Sequence, residues 1–150
     1  MRSVIQRVKR AEVRVDGRVV GAIEAGLCVL LGVTGSDGNA EAKKTARKIA
    51  QLKILRGPGG SDDTAARRSA EESGAQVLVV SQFTLYADTR KGRKPSWSHA
   101  APGDVAEPLV DAVVQELRSA YGLHVETGEF GAMMDVELVN DGPFTILVEC

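Results

Sequence analysis

The chain has 150 residues, the size of one domain, and 43% of them are hydrophobic, enough for a substantial core. With 19 Lys and Arg against 20 Asp and Glu the net charge is −1, so overall charge says nothing for nucleic acid, and any RNA contact must rest on a local basic patch. Aromatic residues make up only 4%, which leaves Val, Leu, Ile and Ala to build the interior.

The opening Met1-Arg2-Ser3-Val4-Ile5-Gln6-Arg7 has no unbroken apolar stretch, so no signal peptide is read there, and a soluble cytoplasmic protein is expected. The first thirty or so residues read as β structure. Val13 and Val15 alternate with Glu12 and Arg14, Asp16-Gly17 is a hairpin turn signal, and Arg18 to Ile23 returns as the second strand. Leu27 to Val33 is an apolar strand that carries Cys28 as a small buried thiol. The other cysteine, Cys150, is distant in sequence, and no Cys/His ligand spacing occurs, so neither a disulfide framework nor a zinc site is expected.

From Ala40 onward Ala42, Ala46, Ile49, Ala50 and Leu52 recur at helical spacing, with Lys43, Lys44, Arg47 and Lys48 on the other face. Residues 57–74 read as a long polar loop. Gln76 to Val80 is a nearly continuous apolar strand, the kind covered on both faces. A basic, turn-rich loop spans Thr89 to Ser98. A second helix follows over Asp104 to Tyr121, with Asp104 and Glu107 spaced as a capping box and Pro108 best placed near its first turn. Met133 to Val139 and Phe144 to Glu149 are the last strands, with Asn140-Asp141-Gly142-Pro143 read as a hairpin turn between them. The order β-β-β-α-β-α-β-β implies an α+β fold with a curved, barrel-like sheet and two main helices in a single domain, 1–150.

No Gly-rich phosphate loop, HExxH helix or GxSxG elbow is present. Ser81, Gln82 and Thr84 lie where the apolar strand stops; such groups either satisfy the turning backbone or line a site. The two histidines, His99 and His124, have no apparent partners for a Ser-His-Asp arrangement.

Two segments taken together are more specific. Ser81-Gln82-Phe83-Thr84-Leu85 and Asn140-x-Gly142-Pro143-x-Thr145 resemble the paired signature motifs of the D-aminoacyl-tRNA deacylases. The stretches Val4 to Val8, Tyr86 to Pro95 and Thr127 to Gly131 match as well, so the resemblance runs nearly end to end. It departs in one loop, where Gly57 to Ala66 replaces a Met-Asn-containing segment, and at Phe144, where Val is commoner. Ser81 and Phe83 favour the D-selective branch over a sister group that carries Pro-Gln-Ala-Thr-Leu.

The resemblance implies hydrolysis of the ester joining an amino acid to the terminal adenosine of tRNA, without metal or cofactor. Its catalytic segment would be Ser81, Gln82, Phe83 and Thr84, with the Phe83 and Thr84 N–H groups facing the developing oxyanion and the tRNA 2′-hydroxyl assisting the water. Chiral selection would fall to Gly142, Pro143, Thr145, Asn140 and Arg7. A cis Gly142–Pro143 bond, lent to the other subunit of a homodimer, would turn main-chain oxygens against L side chains and leave glycyl-tRNA unrejected. Arg90, Lys91, Arg93 and Lys94, beside Trp97, would hold the tRNA acceptor end, and no membrane association is implied. Two other readings stay open: a module that binds charged tRNA without cutting it, and an esterase built on Ser81 and His99.

Overall fold

A computed structural model describes residues 1–90 and 92–150. Among the described residues six strands form a nearly closed, barrel-like mixed sheet, accompanied by three α-helices. Strand β1 (Arg2–Val15) turns at Asp16 (φ 50°) and Gly17 (φ 77°) into β2 (Arg18–Ile23). Two successive positive φ values are what a two-residue hairpin loop requires, and Gly meets them without a Cβ clash. The first half of β1 pairs antiparallel with β3 (Gly26–Gly32), and the second half pairs with β2.

Helix α1 (Asn39–Gln51) then crosses over, so that β4 (Gln76–Ser81) lies parallel to β3. Helix α3 (Gly103–Ser119) makes the next crossover to β5 (Val125–Thr127), parallel to β4. Parallel neighbours need such helical returns, and the helices cover one face of the sheet. Leu27, Val29, Leu31, Val77 and Val79 pack there against Ile49 of α1 and Val113 and Leu117 of α3. The alternate residues Cys28, Leu78 and Val80 face Val8, Ala11, Val13 and Ile23, because the sheet curls over onto itself. The near-continuous apolar run of β4 follows from that double coverage. Burial of the Cys28 thiol pushes it up to about 11, so it is a packing group at neutral pH.

Several sequence expectations are corrected. The polar stretch 57–74 contains a 3₁₀ turn at Pro58–Gly60 and a one-turn helix α2 (Ala70–Ser73). Ser69 and Glu72 close a capping box on α2, a signal present in the sequence as Ser-x-x-Glu. The box expected at Asp104 and Glu107 does not form, because α3 starts one residue earlier with Pro102 at its N-cap and no side-chain cap. Pro108 lies in the second turn of α3, where the carbonyl it leaves unpaired belongs to exposed Asp104 and is open to water.

The largest difference is at the C-terminal end. Met133–Val139 and Phe144–Glu149 do not fold back on each other. Apart from Met133 and Met134, both belong to one long strand, β6 (Asp135–Glu149), which runs antiparallel along β1. The register jumps from Gln6↔Thr145 to Val8↔Asn140, so residues 141–144 leave the ladder as an excursion. Among the described strands, β6 pairs with β1 alone.

Candidate active site

Strand β4 ends at Ser81, and the chain tightens into a 3₁₀ turn over Phe83–Tyr86. Gln82 N–H is fixed on the Leu31 carbonyl at 2.7 Å, which locks this turn to the end of β3. A cavity of about 400 Å³ opens here, at the carboxyl ends of the parallel strands. Sites favour that position because the parallel strands end together and helix starts converge there. Ser81, Gln82 and Phe83 form one wall; Gly103, Ala106 and Val110 of α3 form another; Phe130, Met134 and Val136 close the third side. The volume suits a small organic group.

The N–H groups of Phe83 and Thr84 open the turn and have no hydrogen-bond partner among the described residues. The first amides of any helical turn are left over in this way. The Thr84 hydroxyl accepts a hydrogen bond from the Gln82 side-chain amide, and Thr84 does not line the cavity. Phe83 is 56% exposed and meets Trp97 edge to face at 5.9 Å.

His99 lies away from this cavity. It lines a separate polar hollow with Arg2, Tyr86 and Asp88, and its Nε2 is 3.9 Å from an Asp88 oxygen. Ser81 and His99 therefore belong to different sites, and the Ser81–His99 esterase has no geometric basis. His124 sits 2.9 Å from Glu126 at the start of β5.

The second motif is built from below by Arg7. Its side chain is only 2% exposed and stands where β1 faces the excursion of β6. Its Nε donates to the Asp141 carbonyl at 2.9 Å, and its Nη2 donates to the Gly142 carbonyl at 3.0 Å. Its Nη1 donates to the Ile54 carbonyl at 2.9 Å and to Asp62 at 2.8 Å. One planar guanidinium thus ties three chain segments together, which a lysine could not do. The Gly142–Pro143 bond is cis, and both residues are exposed. Asn140 accepts from the Gln6 amide at 3.3 Å, and Thr145 pairs across from Gln6 in the ladder.

Gly142 and Pro143 do not line the cavity of their own chain. The structure groups Ser81, Gln82, Phe83 and Thr84 at one place and Arg7, Asn140, Gly142, Pro143 and Thr145 at another. In the basic loop, Arg90 is clasped by Asp88 through two side-chain bonds of 2.9 and 2.6 Å. The same pair holds the Asp88 carboxyl far below the usual carboxylate range. Arg93 and Lys94 are exposed, and Lys91 lies outside the described residues.

Sequence reasoning gave no role to Phe130, although the Thr127 to Gly131 stretch was visible. It also missed Arg56, Asp62 and Arg67 around Arg7. The only sequence signal for Asp62 and Arg67 was charge of both signs in the loop read as polar, and Arg56, just before that loop, had none.

Comparison with known proteins identifies the family. Residues 4–149 match the family described as D-Tyr-tRNA(Tyr) deacylase. A D-aminoacyl-tRNA deacylase from Kineococcus radiotolerans is 63% identical, and one from Thermobifida fusca is 60% identical; each alignment covers 99% of both chains. Among solved structures, a c-Myc DNA unwinding element binding protein is similar at 38% identity and a TM-score of 0.90, with 100% of this chain and 99% of that one covered. A probable eukaryotic D-amino acid tRNA deacylase, 18% identical with a TM-score of 0.80 over 98% and 97% of the two chains, shares the fold. The chain belongs to the D-Tyr-tRNA(Tyr) deacylase family and is a hydrolase of that kind.

Proposed function

We propose that the single domain 1–150 hydrolyses the ester of D-aminoacyl-tRNA, and of glycyl-tRNA, as a proofreading step of translation in the cytoplasm. The observation that carries this reading is the pair of N–H groups, Phe83 and Thr84, with no partner among the described residues, at the turn whose Ser81, Gln82 and Phe83 wall a cavity of suitable size. An aminoacyl ester is already activated, so a positioned water and an oxyanion site suffice. The carbonyl oxygen sits on those two amides as water attacks, and each donor that strengthens in the transition state contributes about 3–4 kcal/mol. The 2′-hydroxyl beside the ester takes part in moving the water's proton. Ser81, Gln82 and Thr84 hold the turn in shape.

Handedness is judged by the main-chain oxygens of the Gly142–Pro143 segment, which a second copy of the chain lends to this cavity. An L side chain meets them, a D side chain projects elsewhere, and glycine has nothing to reject. Three features support the second copy. The segment is exposed and anchored from behind, it is absent from its own chain's cavity, and β6 offers a long edge with no further strand. Leu147 at 72% and Met133 at 91% exposure supply apolar area that a homodimer covers. Arg93 and Lys94, with Lys91 and the partly neutralised Arg90, meet phosphates of the acceptor end. Release of free amino acid from D-tyrosyl-, L-tyrosyl- and glycyl-tRNA by the purified protein tests this. Cleavage of the D and glycyl forms with the L form spared is expected; protection of all three esters, or equal rates on D and L, refutes it.

A further inference from the structure

The loop 57–66 and Phe144, far apart in sequence, come together around Arg7. Asp62 comes from that loop. Its carboxylate takes Arg7 Nη1 at 2.8 Å and Nη2 at 3.1 Å, and Arg67 Nε lies 3.3 Å from the same group. The guanidinium centres of Arg7 and Arg67 each stand 4.6 Å from the centre of the Phe144 ring. Cations at that separation are attracted by the ring's quadrupole. Arg56 completes the group by gripping Asp141 through two bonds of 2.8 Å.

The excursion 141–144 is therefore held by its side chains at both ends and by its carbonyls in the middle. Arg56 takes Asp141, Arg7 takes two main-chain oxygens, and Arg7 with Arg67 takes Phe144. Asp62 is the group that orients the last two arginines. The Asp141 carboxylate also reaches Arg7, at Nε and 3.2 Å, but both its oxygens are gripped by Arg56, and it leaves the two terminal nitrogens of Arg7 to Asp62.

We propose that Asp62 is a positioning residue for stereoselection: it fixes the Arg7 and Arg67 guanidiniums and through them the carbonyls at 141 and 142. The proposal rests on the function given above, in which those oxygens judge handedness. Arg7 keeps Asp62 charged, its carboxyl lowered to about 2, so the clasp is in place throughout the neutral range.

The test uses the full chain as Asp62→Asn and Asp62→Glu. Asn keeps the size but turns amide protons towards two cations, whereas Glu restores a carboxylate on a longer stem. Two readouts are needed: solvent exchange of the Arg7 Nε proton by NMR, and the ratio of kcat/KM for D-tyrosyl- over L-tyrosyl-tRNA. In Asp62→Asn the proton is expected to exchange faster and the ratio to fall by about tenfold or more, with Asp62→Glu regaining most of both. The idea is overturned if exchange is unchanged, or if both substrates lose rate equally in step with a lower melting temperature. A wild-type protein without D preference would defeat the proposed function instead, and the exchange readout would then decide the clasp on its own.

Discussion

Replacing Arg7 by Met keeps most of the volume and removes every hydrogen bond of the guanidinium. Three carbonyls lose a donor: Ile54, Asp141 and Gly142. Gly142 is exposed and recovers a bond from water, whereas Ile54 is only 4% exposed and does not. An orphaned buried acceptor costs about 1–3 kcal/mol, and the buried Ile54 carbonyl and the half-buried Asp141 carbonyl are both left so, whereas Asp62, 30% exposed, keeps Arg67 at 3.3 Å. The loss of attraction to Phe144 belongs within that range. Two such carbonyls make a destabilisation of about 4 kcal/mol the expected value, a large part of a typical total of about 5–15. Arg7→Lys keeps the charge but loses the fork, and about 2 kcal/mol is expected. Urea unfolding reads both: with a slope of about 2 kcal/mol per molar, the midpoint should drop by about 2 M for Arg7→Met and about 1 M for Arg7→Lys. A shift under about 0.5 M for Arg7→Met would mean that the network is not closed in solution, and the anchoring of the Gly142–Pro143 segment would fall with it.

Thr84→Val should keep deacylation within about tenfold, since its hydroxyl serves only as acceptor for Gln82; a loss on the order of a thousandfold or more would make that hydroxyl a nucleophile. His99→Ala should cut the ester at the wild-type rate, and a drop of about a hundredfold would restore a base role for the imidazole. Thr45 is 1% exposed and its hydroxyl has no partner among the described residues, so Thr45→Val should raise stability by about 1 kcal/mol in the same urea assay; a loss would reveal a bond to that oxygen. Acid sensitivity should also change in Asp62→Asn. The folded carboxyl is depressed from 3.8 to about 2, so its stabilisation is full above about pH 4 and disappears as pH falls through about 2. Circular dichroism between those limits should show a shallower acid decline for the variant, and parallel curves would refute the pairing.

Much of the framework was legible because local pattern and tertiary demand agree. Val13 and Val15 alternate on β1, the Asp16-Gly17 turn has the geometry its residues favour, and Ala42, Ala46 and Ile49 form the buried stripe of α1. Strand β4 read as covered on both faces, and it is. Short elements were lost for the opposite reason. Three residues of β5 hold no period, and α2 declares itself only through its Ser69–Glu72 cap. At the candidate site the polar residues after β4 were visible as a break in an apolar run. Asp62 and Arg67 were not, since the local pair they form takes its role only from Arg7, 55 residues from Asp62, and from Phe144, which is farther still from Arg67.

The misread turn at Asn140 to Pro143 explains how the second motif is made. Asn, Asp, Gly and Pro are turn formers, and a hairpin there would have sent the last strand back along its predecessor. Each flanking stretch finds its partner on β1 instead, Asp135 to Asn140 on the far half and Thr145 to Glu149 on the near half. That long continuous ladder leaves the turn formers nowhere to reverse the chain. Pro143 has no N–H to give to a ladder, and four residues opposite the gap between Gln6 and Val8 exceed what regular pairing can hold. They bow outward, and the carbonyls this frees need donors. Arg7, the β1 residue directly opposite, supplies them from the buried side. The same chemistry that signals a turn in sequence thus gives an outward-facing stretch of backbone, pinned by Arg7, in the middle of a strand, the form that the main-chain selector proposed above requires.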